Sequence, residues 1–364
     1  MDIIATIGPS IEATEQLTAL IQSRVTNFRI PLSKGFPEQQ LLKAIEISQI
    51  GRALNRRIRL YIDLPGSKAR LTNDSVFHFH VGALVRFTCG YASEANGNHI
   101  PCVGVAGSLR LESLAIGDII LIGDGEHALK VTEVHLTSFI ASSLTSGILE
   151  KRRGIVIQGK PLDYNTQSDR DESAVEFLKH GNISGVMVSF VESKKDILEV
   201  KEKIRSAIGS RGVLPELVAK IETLRGITNI ADICSVADKV MVARGDLLLN
   251  VGPVDFYEAE EEIINTAMEM NVPIIVGTQL LDSMSASWLP NRSELSAVSH
   301  LIARGIDGLL LTAETAVGSH PLRTVELINT LVDKYRIIAN PTVGNLPLRG
   351  KKRNRAILVP TYVS

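Results

Sequence analysis

Three short segments carry charges and hydroxyls where they could act together: Lys220-Ile221-Glu222, Arg244-Gly245-Asp246 and Thr278-Gln279. Each follows a short apolar run that reads as a buried strand. A cation, two carboxylates and a hydroxyl delivered from the ends of successive parallel strands can hold a divalent metal against an anionic substrate. Such a site suits a small phosphorylated or carboxylated acid.

Parallel strands are needed to carry these groups, and the chain supplies them. Apolar runs at Ile3-Ile7, Asn27-Ile30, Arg59-Ile62, Gly185-Val188, Leu217-Lys220, Lys239-Val242, Pro273-Val276 and Gly308-Leu311 read as eight strands. Between them lie helical patterns at Ala13-Ser23, Gln39-Leu54, Glu172-His180, Lys195-Ile208, Asp255-Met270 and Arg292-Arg304, with Pro321-Tyr335 after the last strand. Eight βα repeats are what a closed barrel requires.

The alternation breaks between Arg70 and about Ile157, where the pattern is β-like throughout. Val76 to Val81 alternates, and Asp118 to Ile122 runs into Gly123-Asp124-Gly125, a turn in a hairpin context. This stretch reads as a small all-β domain inserted after the third barrel strand. His78 and His80 share a strand face and could ligate a metal, but no third ligand lies at a telling spacing, so an exposed face is expected.

Composition agrees with an aliphatic α/β protein, with 45% hydrophobic and 4% aromatic residues. Lys+Arg at 39 against Asp+Glu at 40 leaves no basic footprint for nucleic acid. Cys89, Cys102 and Cys234 have no metal-ligand spacing and are expected to be reduced, packed thiols. The chain opens on Asp2-Ile3-Ile4-Ala5-Thr6-Ile7 without a signal-peptide pattern, and no apolar run nears the roughly 18 residues of a membrane span. A cytoplasmic protein with no membrane partner is expected.

Barrel active sites form at the carboxyl ends of the strands. In order, those ends offer Gly8-Pro9-Ser10; Arg29 with Ser33-Lys34-Gly35; Asp63 with Lys68 and Arg70; Ser189-Phe190; Lys220 and Glu222; Arg244-Gly245-Asp246; Thr278-Gln279; and Thr312-Ala313-Glu314-Thr315. Any one of them alone is a solvated loop residue or a cap. Their convergence on one rim makes a metal and polyanion site.

With these residues in view, the chain resembles the pyruvate kinase family. The matching stretches are ATIGPS, RIPLSKG, DLPGSKAR, the GDG hairpin, KRRG, SGVMVSF, KIE, VMVARGDL, GTQLLDSM, PNRSE and LTAETAVGSHP, in the family's order from Ile4 to Pro321. The resemblance implies a TIM (β/α)8 barrel formed by residues 1–68 and 158–340, a β-barrel lid at 69–157 and a tail at 341–364. It also implies Mg²⁺-dependent phosphoryl transfer between phosphoenolpyruvate and ADP, giving pyruvate and ATP. On this likeness Glu222 and Asp246 would hold Mg²⁺ or Mn²⁺, and Lys220 would neutralise charge on the phosphoryl group and the enolate. Arg29 would contact the phosphoryl group. Backbone N–H groups of Gly245 and Asp246 would receive the substrate carboxylate. Thr278 would lie near the proton route, with Ser189 beside the substrate and Phe190 walling the pocket. Pro9, Lys34, Arg70, Asp124, Arg153 and Thr312 match the nucleotide side.

Departures from the family pattern concentrate on that side. Of four monovalent-cation ligands, Ser33 and Asp63 remain, while Pro31 and Leu64 stand where asparagine and threonine are usual. Lys68 replaces a glutamate, as in the family's potassium-independent branch, and its ammonium can supply the missing charge. Arg153 replaces a lysine, Lys34 a histidine and Glu192 an arginine, and Leu248-Asn250 replaces a glycine and a glutamate. Potassium independence is therefore expected, and an altered phosphoryl acceptor is conceivable.

Family members continue into a third domain that carries effector sites, whereas this sequence ends at Ser364 after a tail with Lys351-Lys352-Arg353. A monomer or homodimer without sugar-phosphate control is expected from that. Two other readings stay open: a metal-dependent lyase or aldolase working through a pyruvate enolate, and a non-catalytic barrel. The intact Lys220, Glu222, Asp246 and Thr278 weigh against the second, and Arg70, Arg153 and the inserted stretch against the first.

Overall fold

The computed structural model of the protein describes residues 1–66, 68–73, 76–90, 100–107, 111–160, 177–179, 182–209 and 212–339. Eight parallel strands close into a barrel. Three precede the inserted stretch: β1 (Asp2–Thr6), β2 (Asn27–Pro31) and β3 (Arg59–Leu64). Among the described residues nine short strands follow, β4 (Arg70–Leu71), β5 (Phe77–Phe79), β6 (Leu84–Cys89), β7 (Cys102–Ala106), β8 (Ile119–Ile122), β9 (His127–Val134), β10 (Ser138–Ser143), β11 (Gly147–Leu149) and β12 (Ile155–Ile157). The barrel then resumes with β13 (Ile183–Val188), β14 (Glu216–Ile221), β15 (Lys239–Ala243), β16 (Ile274–Gly277) and β17 (Gly308–Leu311), and β17 pairs with β1 to close it.

All eight barrel strands lie within two residues of the runs read from the sequence. Helices at Thr14–Gln22, Pro37–Ala53, Lys194–Ile208, Phe256–Glu269, Arg292–Arg304 and Pro321–Ala339 cover the outside. Of the helix expected at 172–180 only 177–179 is described, and it is helical; the tail 341–364, with its basic run, lies outside the described residues. The alternation at 76–81 yields the three-residue strand β5, and His78 and His80 are both exposed, as their pattern implies. Cys234 is buried and its thiol is pushed up to about 11 by burial. Cys89 is exposed, against the expectation that all three cysteines are packed, because it is the last residue of β6, beyond the core that Val85 and Phe87 reach.

The two-residue period of a strand decides which side chains meet inside the barrel. Ile4, Tyr61, Met187, Val218, Met241, Ile275 and Leu310 form an apolar plug of their own. Their neighbours Ala5, Leu60, Val186, Leu217, Val240, Ile274 and Leu309 belong instead to the core beneath the helices. Filling the barrel also requires glycine at 277, where a Cβ would sit 2.4 Å from Met241 Cε. Below the plug, Tyr61 Oη, Lys239, Arg59, Glu216 and Asp2 form an ion network that closes the amino-terminal end. Between β3 and β13 the strands form a seven-stranded sheet, β12-β8-β9-β10-β6-β7-β4, and a β11-β5 pair around a separate apolar core. Among the described residues no helix is long and apolar enough to cross a membrane.

Candidate active site

Two residues beyond each plug position, the same inward parity delivers Thr6, Asp63, Ser189, Lys220, Ala243, Gly277 and Thr312 to the carboxyl mouth. One further step on β14 adds Glu222, and Arg29 follows the same parity on β2. Between the mouth and the inserted strands lies a cleft of about 260 Å³ lined by Arg29, Asp63, Lys220, Glu222, Gly245, Asp246, Thr278 and Thr312, together with Asp124, Gln279 and Asp282.

At its floor the Lys220 ammonium lies 2.7 Å from Ser189 Oγ, 3.1 Å from Glu222 Oε1 and 3.3 Å from Asp63 Oδ1. Ser189 Oγ in turn donates to Leu64 O at 2.6 Å. Burial acts to lower the lysine, yet the Asp63 and Glu222 carboxylates beside it hold it above its ordinary value. Asp63 accepts Arg29 Nε at 2.6 Å, and Arg29 also donates to Thr6 Oγ1 at 3.2 Å. Although burial works to raise Asp63, Lys220 and Arg29 keep its carboxyl below the usual range. Lys220 is thus a fixed, nearly buried cation at the floor of the cleft.

The two carboxylates beyond it differ in environment. Glu222, 1% exposed, accepts the Phe190 N–H at 2.7 Å. Burial pushes its carboxyl up to about 7 against the pull of Lys220, with Asp246 adding to the rise. Asp246 is also pushed up by burial, but Lys68, which ion-pairs with it, brings it below the ordinary carboxylate value. Hard oxygen donors held in one cleft and flanked by cations can take a divalent metal and a polyanion together.

Backbone strain marks the same rim. Phe190, Thr278 and Gln279 have φ of 55°, 68° and 53°, a region non-glycine residues seldom occupy. At Phe190 this turns the ring into the apolar core of the inserted strands, so it does not wall the cleft as expected; its backbone N–H serves the site instead. The Gly245 N–H, expected to receive a substrate carboxylate, donates to Thr278 Oγ1 at 2.8 Å. That bond ties the ends of β15 and β16 together, and Thr278 Oγ1 itself donates to Gly277 O at 2.6 Å.

Other expected residues stand farther out. Pro9 and Lys34 are exposed and Ser33 is half-buried, none of them lining the cleft. Arg153 ion-pairs with Glu126 at the β8-β9 turn, and Arg70 donates to Arg152 O at 2.9 Å while its charge reaches Asp246. Lys68 lies between Asp246 and Gly154, where a Cβ would come 2.6 Å from Lys68 Cε. Thr6, Glu126 and Asp282 were not singled out from the sequence. Strand parity could have found Thr6, whereas Glu126 sits in a turn and Asp282 opens a short 3-10 helix, and no period marks either.

The model of the pyruvate kinase barrel domain matches residues 1–325. The pyruvate kinase of Pyrobaculum aerophilum is 30% identical over 348 residues, which span 94% of this chain and 73% of that protein. That of Thermotoga maritima is 32% identical over 333 residues, 90% of this chain and 69% of the relative. The crystal structure of a pyruvate kinase from Cryptosporidium parvum superposes with a TM-score of 0.83 at 27% identity, covering 92% of this chain and 68% of that one.

Proposed function

The chain belongs to the pyruvate kinase family, and from that premise we propose that it moves the phosphoryl group of phosphoenolpyruvate to ADP with the help of a divalent cation. The P–O bond to the enol oxygen breaks, its electron pair stays on that oxygen, and a new bond forms to a terminal oxygen of ADP. The enolate then takes a proton at its methylene carbon to become pyruvate. The observation that carries this reading is Lys220, a buried ammonium placed between two carboxylates at the floor of the cleft. A cation fixed there stabilises negative charge as it moves from the transferring group to the enolate, without solvent reorganisation.

Glu222 and Asp246 would hold Mg²⁺ or Mn²⁺, and their donor chemistry fits. Both offer hard carboxylate oxygens and both line the same cleft. When bound, the ion would supply positive charge to the anionic oxygens of the substrate. Arg29, held by Asp63 and Thr6, would orient the phosphoryl group, and Ser189 would keep the Lys220 ammonium aimed into the cleft. Thr278 would stand beside the carbon that accepts the proton.

Residues 69–157 would act as a lid whose β8-β9 turn brings Asp124 to the cleft. With Arg70, Arg153, Lys34, Pro9 and Thr312, this turn would form the nucleotide side. Closure would exclude water that could otherwise accept the phosphoryl group. Lys68 would supply the fixed charge that a monovalent cation gives elsewhere, so potassium would not be required.

An acceptor panel tests the reading. Phosphoenolpyruvate is incubated with Mg²⁺ and either ADP, another nucleoside diphosphate or no nucleotide, and pyruvate and phosphorylated product are both quantified. ADP-dependent pyruvate formation is expected. Release of pyruvate at an equal rate without nucleotide would overturn the assignment.

A further inference from the structure

Glu314 is fully buried, with 0% of its surface exposed, yet it stands outside the charged cluster at the cleft floor. Its Oε1 accepts the backbone N–H groups of Leu280 and Leu281 at 3.2 and 3.0 Å. Its Oε2 accepts the Thr312 N–H at 2.7 Å and the Thr312 hydroxyl at 3.3 Å. Every partner is a donor, so only a group with two accepting oxygens satisfies the set. One oxygen holds the loop after β16 and the other holds the loop after β17.

Those two loops present Thr278 and Thr312 to the cleft. The first loop is also the strained one, since Thr278 and Gln279 both have left-handed backbone angles immediately before Leu280. Such angles persist only where the surroundings over-determine them. Two of the backbone N–H groups that fix this stretch point at one carboxylate oxygen.

We infer that Glu314 is a positioning residue for the reaction: its carboxylate clamps the loops after β16 and β17 together and thereby fixes Thr278 and Thr312 on the cleft. It touches no reacting atom. The inference rests on the phosphoryl-transfer reading above, because the kinetic importance of Thr278 and Thr312 follows from it. The clamp itself is a property of the fold.

Glu314→Gln separates the two. The amide nitrogen would face N–H donors on one side, so one loop loses its acceptor at nearly constant volume. Amide hydrogen exchange followed by mass spectrometry on peptides spanning 278–282 and 311–315 should quicken by about tenfold in at least one loop. For phosphoenolpyruvate and ADP turnover, kcat should fall by about ten- to a hundredfold with KM for phosphoenolpyruvate within about threefold of wild type. In a Thr278→Ala background the same change should cost much less, because the two residues act through one element. Glu314→Asp, which keeps the charge but shortens the reach, should fall between wild type and Glu314→Gln, and it answers the question if the amide variant does not fold. Unchanged exchange in both loops would overturn the clamp. Faster exchange with unchanged kcat, or a full additive loss on top of Thr278→Ala, would overturn the positioning role. If the wild type does not turn over phosphoenolpyruvate with ADP, the functional reading fails, and the exchange data still decide the clamp.

Discussion

The Lys68 ammonium ion-pairs with the Asp246 carboxylate across 178 residues of sequence, and it gets there by lying over the bare Cα of Gly154. Lys68 lies on the connection from β3 to β4 and Gly154 on the one from β11 to β12, so the entry to the inserted strands and the approach to their last strand meet at this contact. Backbone hydrogen bonds Ile155 N to Ala69 O at 3.0 Å and Leu71 N to Arg153 O at 2.9 Å hold the connections side by side. Charge at the site is thereby tied to the base of the insertion.

Turnover is expected in Tris or sodium buffers without potassium. Lys68→Met should lower kcat by at least about tenfold, the effect of losing one charge partner near a polyanion. Added potassium should not restore it, because Pro31 and Leu64 offer no side-chain oxygen. Activity seen only after adding potassium to the wild type would show that Lys68 does not play this part.

Gly154→Ala should reproduce part of that loss. The new Cβ would meet the far end of a flexible side chain rather than backbone, so the fold can absorb it while the ammonium shifts from Asp246. A melting temperature within about 3 °C of wild type is expected, with a clear drop in kcat. Wild-type kcat in this variant would mean that the Lys68–Asp246 contact is idle in turnover.

Much of the fold was legible because βα units repeat a simple physical pattern. The apolar runs ending at Lys220, Val242 and Val276 announce buried parallel strands, and strand parity then dictates that Val218, Lys220 and Glu222 share the inner face. Phe190 and Gly245 were read differently because their outcome depends on backbone angles and hydrogen bonds set by neighbouring loops. Glu314 was visible only as one letter in a rim segment. Its significance lies in four donors from two loops, and no local periodicity encodes such a convergence.

Replacing either proposed metal ligand should leave the barrel folded and the reaction nearly absent. Glu222→Gln and Asp246→Asn are each expected to lose at least about a hundredfold in kcat, and to weaken Mn²⁺ binding measured by electron paramagnetic resonance. A variant at either position with wild-type turnover and Mn²⁺ affinity would remove that residue from the metal site.

Asp63 should contribute to stability in a pH-dependent way. Its folded carboxyl titrates below the unfolded value of roughly 3.9. A depressed value adds stability at every pH above the unfolded one, and the contribution is lost as pH falls through the folded value. Asp63→Asn should cost about 3 kcal/mol at neutral pH, since it leaves Arg29 and Lys220 short of a buried partner. Its denaturant midpoint should then fall less steeply than that of wild type below about pH 4. Parallel acid limbs for the two proteins would contradict the assignment.

One phosphoryl group is expected to pass directly from phosphoenolpyruvate to ADP in this cleft. Phosphorus and proton NMR on a single reaction containing Mg²⁺ and no added potassium follow both halves at once. ATP and pyruvate are predicted to rise in equal amounts, with no inorganic phosphate above the enzyme-free control, and Lys220→Met should abolish both signals together. Pyruvate accompanied by inorganic phosphate instead of ATP would rule out direct transfer, and an unchanged rate in Lys220→Met would rule out its part in it.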